Sequence, residues 1–166
     1  MAPLLDEYTD RHINNLKSLP VYWWSVDPGD RNVGISWWYG PYCIRSYHTD
    51  PNDCVDTLVH EVQNGLELLV HEQFTLRGSQ MGMQQGSEFL TSQLIGAMRH
   101  ICRRARVPVK SYQAGNHKPI YRKPEFKPPQ RAHSEWVSFG EGPHAKDSEC
   151  LGEYYVMTVI KKGRGY

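Results

Sequence analysis

Short runs of β-prone residues dominate the first third of the chain, and each run ends at a turn signal. The runs lie at 21–27, 33–39 and 42–48, and they are separated by Pro28-Gly29 and by Gly40-Pro41. Proline and glycine pairs of this kind interrupt strands and form turns. The pattern therefore predicts an antiparallel meander of three strands.

Two pairs of adjacent tryptophans fall on the first two predicted strands: Trp23, Trp24, Trp37 and Trp38. Neighbouring side chains on a strand point to opposite faces of the sheet, so a doubled tryptophan indicates that both faces are buried. We interpret the four residues as an aromatic ladder in the core. A platform for stacking nucleic-acid bases is the alternative.

Helical periodicity appears next. Residues 53–65 carry apolar positions on one helical face, with Asp50, Asn52 or Asp53 as the N-cap and Gly65 at the end. Similar patterns predict helices over 88–106, capped by Ser87, and over 143–160. Residues 1–19 predict a short amphipathic arm that ends before Pro20, which we interpret as a packing arm, with a dimer contact as the alternative.

Two more strands are predicted between the helices, at 66–72 and 107–112. Residues 75–86 and 114–135 lack periodicity, and the second segment holds four prolines, so both are predicted to be loops. The tail 161–166 is predicted to fray. The element order βββ-α-β-α-β-α predicts an α/β fold, a mixed sheet with helices on its faces, in which the fourth strand follows a helical crossover and is parallel to its neighbour.

Composition supports one globular domain. The chain has 166 residues, of which 39% are hydrophobic and 22% charged, which argues against wholesale disorder. No apolar run has the length of a membrane span, and the residues after Met1 do not resemble a signal peptide. The four cysteines lack zinc spacing, so we expect reduced thiols in a cytoplasmic protein with no membrane partner.

Charge is unevenly distributed. The net charge is only +1, but ten basic residues and one acid lie between Arg99 and Arg131, which leaves −8 on the rest of the chain. Interleaved aromatic residues suit phosphate contacts with base stacking, although a solvated helical face is the alternative. We assign DNA contacts to these residues of the segment and of the loop before it: Arg77, Arg103, Arg104, Arg122 and Lys123.

Two acids end predicted strands, Asp27 and Glu72. If these strands are parallel neighbours, both carboxylates reach the same edge of the sheet. His144 and Asp147 are three residues apart in the last predicted helix and share one face. Carboxylates with one imidazole suit Mg²⁺ or Mn²⁺, and two such ions about 4 Å apart can hydrolyse a phosphodiester. Each residue alone also has a structural explanation: a turn at Asp27, a solvated Glu72, an ordinary surface pair in the helix.

Taken together, the motifs resemble those of RuvC-like Holliday junction resolvases, a family of RNase H-like nucleases. The similar segments are Asp27-Pro28-Gly29 with Asn32-x-Gly34, then Glu72-Gln73-Phe74, Leu94-Ile95-Gly96, and His144-Ala145-x-Asp147. The resemblance covers roughly 21–157. It implies a five-stranded mixed sheet of order 3-2-1-4-5 with helices on both faces, and a nuclease domain over 20–160 between the arm 1–19 and a flexible basic tail 161–166.

The resemblance also implies roles for single residues. Asp27, Glu72 and Asp147 would be catalytic metal ligands for Mg²⁺, with Mn²⁺ as a substitute, and His144 a further ligand or proton-transfer group. Phe74 would wedge between bases near a branch point, and Lys118 would face the backbone near the scissile phosphate. The family works as a homodimer on four-way junctions and needs no small-molecule cofactor.

Three hypotheses remain open from the sequence. The first is an endonuclease that nicks branched DNA and resolves Holliday junctions. The second is an RNase H-like nuclease acting on an RNA–DNA hybrid or in phage DNA packaging, and the third is a non-catalytic DNA-binding domain. The long arm and the proline-rich basic segment 114–135 depart from the family pattern and suggest a phage-encoded version, which would act in the host cytoplasm.

Overall fold

Five strands form one mixed sheet. The computed structural model describes residues 19–74, 90–121 and 142–163. Its strands are β1 Tyr22–Asp27, β2 Val33–Tyr39, β3 Tyr42–Thr49, β4 Leu68–Gln73 and β5 Val109–Gln113. The first three pair antiparallel, β4 runs parallel to β1, and β5 runs parallel to β4. The sheet order β3-β2-β1-β4-β5 confirms the predicted meander and the predicted order.

Helices cover both faces of the sheet, as predicted. They are α1 Pro51–Gln63, α2 Leu90–Ala105, α3 Ala114–Tyr121 and α4 Pro143–Gly163. On one face, Leu58 of α1 and Met98 of α2 belong to the same buried cluster as Trp24. On the other face, Leu151 of α4 packs in a second cluster with Trp23. The sheet therefore separates two apolar layers.

The tryptophan pairs form the predicted ladder. Trp23 is directly opposite Trp38, and Trp24 is opposite Trp37. The ring centroids lie 4.9 Å and 5.1 Å apart, respectively. Trp23, Trp24 and Trp38 have no solvent exposure, so these three rings are not available for stacking bases. Aromatic pairs in such contacts add about 0.5–1.5 kcal/mol each beyond their buried area.

Helix α1 begins and ends through local backbone chemistry. Asp50 is the N-cap, and its Oδ1 accepts from the N–H groups of Asn52 at 2.8 Å and Asp53 at 3.2 Å. At the other end, Gly65 has a φ of 96°, and the Leu66 N–H donates to the Glu61 carbonyl at 3.1 Å. Because Leu66 takes part in this closing bond, β4 begins at Leu68, two residues later than predicted.

One predicted loop is wrong in its first part. Residues 114–121 form α3, although Pro119 and the rest of 114–135 predicted an extended segment. Pro119 is the sixth residue of this helix, so it removes one backbone N–H donor and its ring crowds the preceding turn. Contacts of Lys118 with distant acids stabilise the segment, and such tertiary contacts override a weak local propensity.

The last helix is longer than predicted, because α4 ends at Gly163 rather than at residue 160. Other predictions lie outside the described residues: the arm up to residue 18, the loop 75–86 with the Ser87 cap, the loop 122–135, and the last residues 164–166. Leu19, at the end of the predicted arm, is buried beside α4. Within the part of the chain that is described, no helix has the length and apolar character to cross a membrane.

Glu153 of α4 gives a stability prediction. Burial raises the pKa of its carboxyl from 4.5 to about 6. The folded protein therefore holds the proton more tightly than the unfolded chain, and stability falls as pH rises from 4.5 to 6. We expect Glu153→Gln to raise Tm by a few degrees at pH 7.5, for a gain of at most about 2 kcal/mol because the side chain is partly solvated. Thermal melts at pH 4 and pH 7.5 test this, and an equal gain at both values would contradict it.

Candidate active site

Asp27 and Glu72 lie at the carboxyl ends of neighbouring parallel strands. Val26 of β1 pairs with His71 of β4, so the two acids come next in the same register. Alternation along the strands places both side chains on the face covered by α4, because Trp23 and Val70, an even number of positions earlier, belong to the cluster on that face. The sequence prediction that both acids reach one edge of the sheet is therefore confirmed.

Helix α4 is held against the sheet by a buried serine network. The Ser25 hydroxyl donates to the Ser148 carbonyl at 2.6 Å, and the Trp38 indole N–H donates to the Ser25 hydroxyl at 2.8 Å. The hydroxyls of Ser36 and Ser148 lie 2.6 Å apart. All three serines are buried, and satisfied buried polar groups fix one geometry rather than many.

Two glycines allow this close approach. A Cβ on Gly34 would overlap the carbonyl of His144, and a Cβ on Gly152 would overlap the indole of Trp38. Gly34 is opposite Asp27 in the β1–β2 register. The first turn of α4 is therefore seated directly over the strand end that carries Asp27.

This position of α4 brings His144 and Asp147 close to the two strand-end acids. His144 Nδ1 lies 2.8 Å from Asp27 Oδ2. Asp147 lies one turn further along α4, and its carboxylate contacts the ammonium of Lys118, which also contacts the other two acids. The structure thus brings together Asp27, Glu72, His144 and Asp147 from two strands and one helix, as the sequence predicted.

Lys118 of α3 occupies the centre of the acid cluster. Its Nζ lies 3.1 Å from Glu72 Oε2, 3.1 Å from Asp147 Oδ2 and 4.0 Å from Asp27 Oδ1. The sequence predicted a residue that faces the DNA backbone. The structure places its ammonium among three carboxylates, with the side chain 31% exposed to solvent.

The acids differ in their electrostatic state. Burial raises the pKa of Asp27, and its contact with His144 offsets only part of that effect. Burial also acts to raise the pKa of Glu72, but His117 and Lys118 outweigh it, so that this pKa is lowered. For Lys118, burial acts to lower the pKa, and the surrounding carboxylates raise it above the ordinary value. The cluster therefore favours a bound positive charge.

The donor set suits a hard divalent cation in its chemistry. Carboxylate oxygens are the ligands that Mg²⁺ prefers, and an ammonium already stands where such a charge is stabilised. Across residues 19–74, 90–121 and 142–163, however, no three His, Cys, Asp or Glu side chains are arranged to hold one ion. The carboxylates are instead spaced around Lys118, so an ion would take the place of its ammonium.

His117 is the residue that the sequence reasoning missed. It is fully buried in α3, and its Nε2 lies 3.1 Å from Glu72 Oε2. The predicted loop over 114–135 gave this histidine no defined position. Its place beside Lys118, in a segment already assigned to phosphate contacts, was the only signal.

The predicted DNA contacts are divided between two places. Phe74 lines an open cavity of about 480 Å³ that also reaches Glu72 and Lys118. Arg103 lines a separate cavity of about 540 Å³ near Val107 and Val109, at the opposite ends of the strands from the acids. Arg104 is exposed in the last turn of α2. Arg77, Arg122 and Lys123 lie outside the described residues.

Comparison with solved structures identifies the fold. A structure of Thermus thermophilus RuvC in complex with a Holliday junction substrate superposes with a TM-score of 0.55 at 14% identity, covering 88% of this chain and 97% of that one. A second structure of Thermus thermophilus RuvC gives 0.53 at 14% identity, covering 86% and 97%. No family model matches the sequence, and no curated protein matches it.

The class that these findings define is the RuvC-like, RNase H-like α/β fold. The predicted fold class is therefore confirmed. At 14% identity the likeness carries the fold alone, and the roles of the site residues stay predictions.

Proposed function

We propose that this chain is a metal-dependent endonuclease that nicks branched DNA and resolves Holliday junctions. The observation that carries the proposal is the meeting of Asp27, Glu72 and Asp147 around one cation, with His144 on Asp27. Clustered acids that are partly or fully buried are costly unless they serve a bound cation, so a purely structural scaffold has little use for them.

The acid cluster opens onto a cavity suited to a substrate. Glu72, Phe74 and Lys118 line the same space of about 480 Å³. A phosphodiester in this cavity would place its charge beside the ammonium, and the aromatic ring of Phe74 in the cavity lining would be available to contact a base. The similarity in fold to a protein solved with a Holliday junction favours branched DNA as the substrate.

In the proposed reaction, Asp27, Glu72 and Asp147 hold Mg²⁺, for which Mn²⁺ can substitute. Bound divalent ions supply an activated water and stabilise the leaving oxygen of a phosphodiester. His144 contacts Asp27 at 2.8 Å, so it orients that carboxylate and is placed to accept or donate a proton at Nδ1. Lys118 neutralises charge at the cluster. A homodimer would give the two symmetric cuts that a four-way junction needs.

A gel assay tests the proposal. Purified protein is incubated with a labelled four-way junction, its matched linear duplex and an RNA–DNA hybrid, each with Mg²⁺, Mn²⁺ or a chelator. We expect paired symmetric nicks in the junction alone, and only with metal. Preference for the hybrid would favour the second hypothesis. Binding without cleavage in either metal would favour a non-catalytic DNA-binding domain.

Removal of Lys118 gives a direct test of the cation site. In Lys118→Ala the three carboxylates lose their shared ammonium, and we expect the metal-free Tm to fall by several degrees, for about 1–2 kcal/mol. Mn²⁺ should raise the Tm of this variant more than that of the wild type, because the ion no longer competes with the ammonium. Thermal melts with and without Mn²⁺ measure both effects.

Lys146→Ala is the matched control, because this lysine is exposed on α4. It should leave both the Tm and the Mn²⁺ response unchanged. An Mn²⁺ response in Lys118→Ala that is no larger than in the wild type would show that the ion binds elsewhere.

A further inference from the structure

His117 is buried in an unusual way for an imidazole. The side chain has no solvent exposure. Among the described residues neither ring nitrogen has a hydrogen-bond partner, although Nε2 lies only 3.1 Å from Glu72 Oε2. That Glu72 oxygen also lies 3.1 Å from Lys118 Nζ, so the buried imidazole and the ammonium contact the same carboxylate oxygen.

Such an arrangement is costly unless the contact has a purpose. A buried polar group without a partner destabilises a protein by about 1–3 kcal/mol, whereas an apolar side chain of similar shape would not. The ring also lies 6.4 Å from the ring of Tyr154. Its Nε2 contacts the carboxylate of Glu72.

Each of the two strand-end acids contacts one histidine. Asp27 has His144 at 2.8 Å, and Glu72 has His117 at 3.1 Å. One histidine comes from α4 and the other from α3, so the helices on this face supply one imidazole to each acid. Glutamate has more rotatable bonds than aspartate and loses more side-chain entropy when it is fixed, so Glu72 has the greater need of a partner.

We propose that His117 is a positioning residue for Glu72. Its Nε2–H donates to Oε2 when the site is assembled, which holds the carboxylate so that Oε1, 3.3 Å from Lys118 Nζ, also faces the centre of the cluster. This inference rests on the proposed function, in which Glu72 holds the metal. Hydrogen bonds to ligating carboxylates commonly change metal affinity or activity by about 10–100-fold.

Two substitutions separate positioning from packing. His117→Leu fills the space without a donor, and His117→Gln keeps an N–H close to the position of Nε2. We expect His117→Leu to leave junction affinity within twofold of the wild type, to lower kcat for cleavage by about 10–100-fold, and to raise the half-saturating Mn²⁺ concentration by a similar factor. Where His117→Leu lowers kcat by more than tenfold, we expect the kcat of His117→Gln to be at least tenfold higher than that of His117→Leu.

Stability and direct metal binding complete the test. His117→Leu should keep or raise the Tm, because an unsatisfied polar group is removed, and calorimetric titration with Mn²⁺ should show weaker binding without any DNA present. His60→Leu is the control, since the His60 side chain is 70% exposed on α1. Unchanged Mn²⁺ affinity in His117→Leu, or equal defects in the Leu and Gln variants that follow a lowered Tm, would overturn the proposal.

The same experiment keeps the two proposals apart. If the wild type cleaves none of the DNA substrates, the proposed function fails. The difference in Mn²⁺ affinity between the wild type and His117→Leu still tests whether His117 positions Glu72. If the wild type cleaves and the titrations coincide, the endonuclease stands and the role of His117 falls.

Discussion

Asp27→Asn is expected to reduce junction cleavage by about 10³-fold or more while leaving junction binding within twofold of the wild type. The amide keeps the shape of the carboxylate but removes the negative charge that would hold a cation, and loss of one electrostatic group in an active site costs about 10²–10³-fold even when no metal is involved. Single-turnover cleavage in Mg²⁺ and a binding titration in Ca²⁺ or chelator measure the two effects separately.

The same substitution should not destabilise the fold. Asp27 is 5% exposed, and burial raises the pKa of its carboxyl, so the charged form is costly in the metal-free protein. We therefore expect the metal-free Tm of Asp27→Asn to equal or exceed that of the wild type. Sites that trade stability for activity commonly show this combination.

Asp56→Asn is the matched control, because Asp56 is an exposed aspartate on α1. It should cleave as the wild type does. Retained cleavage in Asp27→Asn would remove Asp27 from the catalytic set, and a lowered Tm together with lost binding would mean that the variant reports folding rather than chemistry.

Gly34→Ala is expected to have the second largest effect, although residue 34 would take no part in the reaction. The new methyl group would overlap the His144 carbonyl, which is backbone and cannot rotate away. The first turn of α4 must then move, and His144 Nδ1 loses its 2.8 Å contact with Asp27. Misplacement of a catalytic group by about 1 Å can cost 10²-fold, so we expect at least that loss in cleavage.

Stability should fall with activity in this variant. Overpacking of a tight interface costs about 1–3 kcal/mol, which corresponds to a Tm lower by roughly 2–12 °C for a chain of this size. Gly96→Ala is the control, since a Cβ there meets no atom within 4 Å and alanine favours the interior of α2 by about 1 kcal/mol. Equal cleavage by Gly34→Ala and the wild type would show that α4 does not need this seating.

In the proposed enzyme, Lys118 stabilises the clustered acids before a metal ion binds. Lys118 contacts carboxylates from β1, β4 and α4, so one ammonium ties three separate elements together. In the proposed enzyme the acids are therefore held close without the ion. The Mn²⁺ response of Lys118→Ala is the measurement that separates this role from direct contact with DNA.

The strands could be predicted because each has a local signature. β-Prone runs of six to eight residues ended by proline and glycine gave β2 its observed bounds and placed β1 and β3 within one residue. The doubled tryptophans indicated burial on both faces, which the ladder confirms. Parallel pairing of β1 with β4 followed from the helical crossover between them.

The basic segment was harder to interpret, because the net charge of a segment does not show which part of the fold each basic side chain faces. Arg103 and Lys118 lie in the same basic run of sequence, yet Arg103 lines a cavity at the far ends of the strands and Lys118 lies among the acids. The net charge of the segment was the same in either case. Only the turn from α2 into β5 and then α3 separates the two residues.

The sequence alone was enough to predict the strands, the antiparallel meander and the four residues that meet at one edge, because apolar alternation, turn residues and strand-end acids are local signals. The full strand order came from the resemblance to a known family. Tertiary structure alone decided that residues 114–121 form a helix, that Lys118 lies at the centre of the acids and that His117 faces Glu72. These contacts join residues about 30 to 90 positions apart. Their energies come from burial and charge at a place that no local pattern records.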